Sequence, residues 1–272
     1  MSMDKLSNSH KSNDFFTKAV YKESCMGIIN LALSIPDIHV LAIGPESCLR
    51  VLYFRALREG QNERLHIQSM SQNDLASSQH LEVTEKVLDK IISIENRKIK
   101  AVIVYISCID ILIGSDFDSI FKRIEERYGI PVKLFKRGPL SKRRITPKER
   151  LSLIFSEILD VYAEDSSYDK TKVSPIINIL GEQKLIEQCK LKTVLKNKED
   201  LKLQEFTECE SFNDFKNLSK ATFSVVTDRF GVSIAEYLKE NFKIPYFVTS
   251  IECSEEMVTM EINKINGRQG DR

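Results

Sequence analysis

No C-x-x-C pair occurs anywhere in this chain. Zinc ribbons and thioredoxin-type redox sites therefore lack their usual spacing. There is also no G-x-x-x-x-G-K-[ST] stretch, so the phosphate-cradling loop of an ATPase is missing. Charge of one sign is missing too: 40 Lys and Arg stand against 39 Asp and Glu, a net +1. Such a balance leaves no electrostatic footprint for nucleic acid or an anionic membrane. Lys142-Arg143-Arg144 is basic but carries no interleaved aromatics, a poor fit to nucleic acid. The most apolar segment, Ala101 to Gly114, contains Asp110 and is too short to cross a bilayer. Met1 to Asp14 is mostly polar, without the apolar stretch of a secretory signal. The expectation is a soluble cytoplasmic protein that binds neither membrane nor nucleic acid.

What is present is an ordinary globular composition, 42% apolar and 29% charged over 272 residues, a length suited to about two domains. Six cysteines without a secretory signal point away from disulfides, because the cytosol keeps thiols reduced. The pattern alternates between strands and helices. Ile38-His39-Val40-Leu41-Ala42-Ile43 reads as a buried strand ending in a Gly-Pro turn. From Glu82 to Ile94, Val83, Val87, Leu88, Ile91 and Ile92 recur at helical spacing. A strand over Ala101–Ile106 is followed by a helix marked by Ile120, Phe121, Ile124 and Tyr128, with Gly129 as its C-terminal cap. Ile130 to Phe135 predicts a third strand. Thr146-Pro147-Lys148-Glu149 forms a capping box, so a helix is expected from Pro147 to Tyr162.

The Ser-, Asp- and Lys-rich stretch after residue 163 has no periodicity and reads as a linker. Beyond it, strands are predicted at Pro175–Leu180, Lys192–Leu195, Thr222–Val226 and Ile244–Val248. Helices are predicted at Phe212–Lys220, Val232–Phe242 and Met257–Ile265. Repeated β-α-β units imply mainly parallel sheets with helices on both faces. The organisation expected is an α/β chain of two doubly wound, Rossmann-like domains. Residues 1–14 form a polar tail, 15–163 the first domain, 164–173 the linker and 174–272 the second domain.

In such sheets ligands gather beyond the carboxyl ends of the strands. Cys48, in Gly44-Pro45-Glu46-Ser47-Cys48, and Cys108, opening Cys108-Ile109-Asp110-Ile111-Leu112-Ile113-Gly114-Ser115-Asp116, both fall there by sequence. Cys25 precedes the first helix-strand pair. Thiolates meeting at one sheet edge are soft ligands of the kind iron–sulfur clusters use. Gly44 and Gly114 leave room for backbone to approach a bulky inorganic group. The plainer reading of any cysteine is a small buried hydrophobe, and that is the expectation for Cys189, Cys209 and Cys253. Catalytic thiol chemistry needs a base, and His10, His39, His66 and His80 supply no Cys/His pairing by sequence. Arg50, Arg55 and Arg58 follow Cys48 at near-helical spacing; a solvated helix face is favoured over an anion site. Asp116 is expected to cap the next helix, with cluster tuning or proton transfer as the other reading for it and for Asp110.

Together, Cys25-Met26-Gly27, Gly44-Pro45-Glu46-Ser47-Cys48 and the stretch from Ser107 to Asp116 resemble the nitrogenase component 1 family. That family has a cysteine before its opening helix, a Gly-Pro-x-x-Cys turn and a Cys-x-x-x-Leu-Ile-Gly-x-Asp turn. Gly129-Ile130-Pro131-Val132 and Val232 to Tyr246 resemble its helix-to-strand passages, so the likeness runs over about residues 18–265. The resemblance implies that Cys25, Cys48 and Cys108 hold a 4Fe-4S or larger cluster near a subunit interface. A partner subunit or another residue would complete the coordination. It further implies a homodimer, or a heteromer with a sister component 1 subunit, fed with electrons by a separate iron-protein ATPase. The absent phosphate loop agrees with that division. There are departures. The third domain and its cofactor-binding histidine, found in catalytic α subunits, have no counterpart here, and Thr227 stands where those subunits place a cofactor-binding cysteine. The resemblance thus points away from an iron–molybdenum cofactor. Ser47 replaces a usual glycine, and Asn73 to Gln79 replaces an acidic Gly-Gly segment. The expectation is an oxidoreductase subunit acting on an unidentified substrate, or else a non-catalytic scaffold for a cluster or cofactor.

Overall fold

The computed structural model describes residues 27–77, 79–94, 98–106, 115–136, 145–162, 176–181, 202–248 and 260. The chain opens with α1 (Ile28–Ala32), β1 (Ile38–Gly44) and α2 (Glu46–Arg58). There follow β2 (Leu65–Ser69), α3 (Gln72–Ala76), α4 (Gln79–Ile94), β3 (Ala101–Ile106), α5 (Asp118–Tyr128) and β4 (Val132–Lys136). Helix α6 (Pro147–Tyr162) precedes β5 (Ile176–Leu180), β6 (Lys202–Glu205), α7 (Phe212–Asn217), β7 (Phe223–Val226), α8 (Arg229–Phe242) and β8 (Tyr246–Val248). Two four-stranded sheets result, ordered β2-β1-β3-β4 and β6-β5-β7-β8, and every pairing is parallel. The doubly wound α/β expectation holds.

The reason lies in the strands. All seven residues of β1 and all six of β3 are buried, as strands covered on both faces must be. Alternate residues serve different cores. Val40, Ala42, Ile103 and Tyr105 join a large cluster with α1, α2, α6 and the second sheet's apolar residues. Leu41, Ile43, Val102, Val104 and Ile106 face a smaller cluster with Leu88, Ile91, Ile92, Ile120, Phe121 and Ile124 of α4 and α5. Each such aliphatic side chain taken from water contributes about 1.5–3 kcal/mol.

Helix α6 connects the two sheets. Phe155 packs edge-on against Phe206, Phe215 and Phe230, with centroids 5.0, 6.0 and 6.1 Å apart. Ser152 Oγ donates to the Phe230 carbonyl at 2.6 Å, and the Tyr162 hydroxyl donates to the Lys100 carbonyl at 2.5 Å. The expected linker over 164–173 lies outside the described residues, as do the strand expected at Lys192–Leu195 and nearly all of the expected last helix.

Some boundaries differ from the sequence pattern for physical reasons. Helix α4 begins at Gln79, not Glu82, and its buried stripe is His80, Thr84, Leu88, Ile91 and Ile92, while Val83 is exposed. Helix α8 begins at Arg229 because the Asp228 side chain caps it, accepting from the Gly231 N–H at 3.0 Å. The helix expected over Phe212–Lys220 stays α-helical to Asn217 and tightens into a 3-10 turn at Leu218–Lys220. Strand β4 starts at Val132, after Pro131, whose carbonyl accepts from Val102 N–H at 3.0 Å.

Candidate functional site

In both sheets the order is second-first-third-fourth, so successive connections leave the first and third strands in opposite directions. That divergence makes a crevice at the carboxyl ends of β1 and β3, where doubly wound proteins bind ligands. Parallel register sets Ile43 opposite Ile106. Cys48 follows β1 at this edge. Cys25, Cys108 and Gly114 lie outside the described residues; Gly44 and Cys48 do not.

Gly44 closes β1 in extended conformation, buried, and its carbonyl accepts from the Met70 N–H at 3.0 Å. Pro45 is the N-terminal cap residue of α2, with φ −61° and ψ 142°. Its carbonyl accepts from the Cys48 N–H at 3.0 Å and the Leu49 N–H at 3.2 Å, which winds the chain directly from strand into helix. Cys48 therefore sits in the first turn of α2, and its side chain is exposed. Arg50, Arg55 and Arg58 are exposed along the same helix, the solvated face expected of them.

Cys209 shows the opposite environment. It is buried, with its thiol 3.3 Å from the Phe206 carbonyl oxygen. Burial, with the Asp214 carboxylate nearby, pushes that thiol up to about 12. It is the small structural hydrophobe expected. Among the described residues, no three His, Cys, Asp or Glu side chains gather to hold a metal.

The edge also carries polar groups that the sequence reading passed over. His80, almost wholly buried at the start of α4, has Nδ1 3.2 Å from the Asp74 carbonyl oxygen and Nε2 2.7 Å from Ser115 Oγ. A carbonyl only accepts, so Nδ1 carries the proton shared with Asp74, and Nε2 faces the serine hydroxyl. Thr84 donates to the His80 carbonyl at 2.7 Å, and Gln68 Nε2 donates to the same oxygen at 3.3 Å. Ser71 donates to the Asp74 carboxylate through both N–H and hydroxyl at 2.7 Å, which holds that carboxyl below its usual range. Asp116 accepts from the Ser119 N–H and hydroxyl at the start of α5, the capping role anticipated. This network ties β2, α3 and α4 to Ser115, the first described residue after the Cys108 segment. Extending the α4 periodicity back two turns, from Leu88 through Thr84 to His80, was the available signal.

At the matching position of the second sheet, between β5 and β7, the described residues are buried and closely packed. Thr227 is buried, its N–H donating to the Leu180 carbonyl at 3.0 Å and its hydroxyl to the same oxygen at 3.3 Å. A methyl group on Gly181 would overlap Thr227 Oγ1, and one on Gly231 would overlap the Leu180 carbonyl.

Strand order, crossover placement and a cysteine-bearing turn at the switch point define a doubly wound α/β protein with its candidate site in the first sheet. The sequence pattern of nitrogenase component 1 type oxidoreductases matches residues 24–252, and the chain belongs to that family. Its fold is similar to a solved structure titled "Nitrogenase Cp1 at pH 6.5", with TM-score 0.62 and 13% identity over 95% of this chain and 62% of the other. A second, "Nitrogenase Cp1 at pH 5", gives TM-score 0.59 and 17% identity over 81% of this chain and 46% of the other. The chain thus spans between about half and three fifths of the length of these structures. No curated protein matches it by sequence. Among the described residues, no helix is long and apolar enough to cross a membrane.

Proposed function

We propose that the chain is a cluster-bearing oxidoreductase subunit of the nitrogenase-like type, with Cys25, Cys48 and Cys108 as iron ligands. The observation that carries this reading is Cys48: an exposed thiol in the first turn of α2, at the β1/β3 switch point, in a chain of this family. Its surroundings suit an anionic thiolate-bound group, because the amino end of a helix carries partial positive charge. Gly44 beside it, and by the sequence pattern Gly114, are the glycines this reading assigns to close approach of backbone to the cluster. Bound there, an iron–sulfur cluster supplies one-electron storage. The chain's own part is to hold the sulfurs at one edge, with the His80–Ser115 network bracing the turn that follows β3.

Electrons come in this reading from a separate iron-protein ATPase, and the working unit is a homodimer or a pair with a sister subunit in the cytoplasm. A second reading, a scaffold that holds a cluster or cofactor for transfer, is favoured by one observation. Thr227, at the position where catalytic relatives carry a cofactor-binding cysteine, is buried and hydrogen-bonded to the Leu180 carbonyl. Anaerobic iron and sulfide counting with EPR tests both readings together. The wild-type chain is expected to bind iron and show a cluster signal, and an iron-free chain would refute them. Reduction of that signal by an ATP-driven iron protein then separates the oxidoreductase from the scaffold.

A further inference from the structure

Helix α2 leaves an apolar face unpartnered. Leu49, Leu52 and Ala56 are buried toward the core, while Val51 and Phe54 are each 55% exposed and Leu57 is 47% exposed. These three succeed one another at three-residue steps on the outer side of the helix, with Arg55 beside Val51 and Arg58 beside Phe54. Folded monomers rarely leave such a patch bare without a use for it.

We infer that this face is covered by the chain's own amino-terminal segment, residues 15–23. Two observations commit the surface to that occupant. The first is where the segment enters. Gly27, the first described residue, lies against α2, where a methyl on it would be 3.6 Å from Arg55 Nη1. The seven residue steps from Val20 to Gly27 reach at most about 25 Å when extended. The 13 residues of α2 are about 20 Å long, so every turn of the face is within reach. The second is pattern and charge. Phe15, Phe16, Ala19 and Val20 recur at the spacing of one helical face, and Glu23 falls on that same face at the end nearest Gly27. The apolar residues match Val51, Phe54 and Leu57, and Glu23 matches the arginines. Lys18 falls off that face, and Lys22 lies at its edge beside Phe15. A tethered segment also meets α2 at a high effective concentration, which a second molecule must exceed.

The inference stands apart from the cluster reading and is tested on the full, reduced, iron-free chain. Hydrogen exchange of α2 is compared between wild type and a Phe15→Ser/Phe16→Ser variant, with light scattering on each. Amide protection across α2 is expected to fall at least about tenfold while β1 is unchanged and the mass stays constant. Phe54→Ser is expected to give the same loss, with no further loss when all three changes are combined. Unchanged α2 protection in the Phe15→Ser/Phe16→Ser variant overturns the inference. So does a fall in mass from dimer to monomer on Phe54→Ser alone, which assigns the face to a second copy. Unchanged β1 exchange guards against misfolding as the cause.

Discussion

In the first sheet, the crevice between β1 and β3 is bordered by an exposed thiol, Cys48, and by a buried polar network around His80. In the second, the corresponding position between β5 and β7 carries buried Thr227 and Asp228 and the close approach of Gly231 to Leu180. The strand orders are identical. One topology thus supplies two equivalent positions, and different side chains follow the strands at each. In the second sheet the same place seats α8 on β5.

The strongest test of this contrast compares two cysteines. Cys48→Ala is expected to weaken iron binding by more than about 100-fold, beyond the usual effect of losing an outer-shell partner. Cys209→Ala, in the second domain, should leave the iron content unchanged. Equal iron in all three proteins would remove Cys48 from the site and dissolve the contrast.

Phe155 addresses what the sheets share. Its ring meets three second-domain phenylalanines from a helix that also packs on β4. Phe155→Ala should cost about 3–5 kcal/mol by urea denaturation, through lost contact and the cavity left behind. Separate unfolding steps for the halves would follow if this core is what couples them. At the matching position of the second sheet, Gly231→Ala forces a methyl onto the Leu180 carbonyl and should cost roughly 3 kcal/mol. Ser47→Ala at the first crevice, on an exposed position, should stay within about 0.5 kcal/mol.

A pH effect belongs to the opposite end of the first sheet. His39 stacks on His66 with ring centroids 5.2 Å apart and Nδ1 2.9 Å from the partner's Nε2. Burial, then the charges of His66 and Arg64, lower its pKa from 6.5 to about 4. Above pH 6.5 both folded and unfolded chains leave His39 neutral, and stability is flat on its account. As pH falls, the unfolded chain takes the proton first, so stability drops until about pH 4. The loss is at most about 3 kcal/mol. Denaturation at pH 7.5, 5.5 and 4.5 should show it, and His39→Gln should flatten the curve. A smaller effect than that of His39 comes from a matched pair: Thr146→Ala on α6 and Ser211→Ala on α7 each remove a reciprocal cap, and each should cost about 1 kcal/mol. Unequal losses would show that the helices depend on their sheets to different degrees.

Much of this architecture was legible before any coordinates. The uninterrupted apolar runs of β1 and β3 could bury only as central parallel strands, and they do. Gly129 takes the left-handed φ of 66° that ends α5, and the Thr146–Glu149 box starts α6 at Pro147. The edge strands were not legible. Leu65-His66-Ile67-Gln68-Ser69 and Lys202-Leu203-Gln204-Glu205 mix polar and apolar residues too evenly to announce themselves, and pairing with β1 and β5 makes them strands. His80 and Thr84 were equally hidden, because polar side chains read as solvent-facing unless a buried partner is known.

The linear order of residues determined where strands, turns and helix starts fall, and which cysteines follow strands, since burial periodicity and capping are local properties of the chain. Tertiary structure alone decided that β1 and β3 lie side by side, that Cys48 is exposed while Cys209 is enclosed, and that Thr227 is buried against Leu180. Those outcomes depend on contacts between residues far apart in sequence, and local patterns carry no record of such distances.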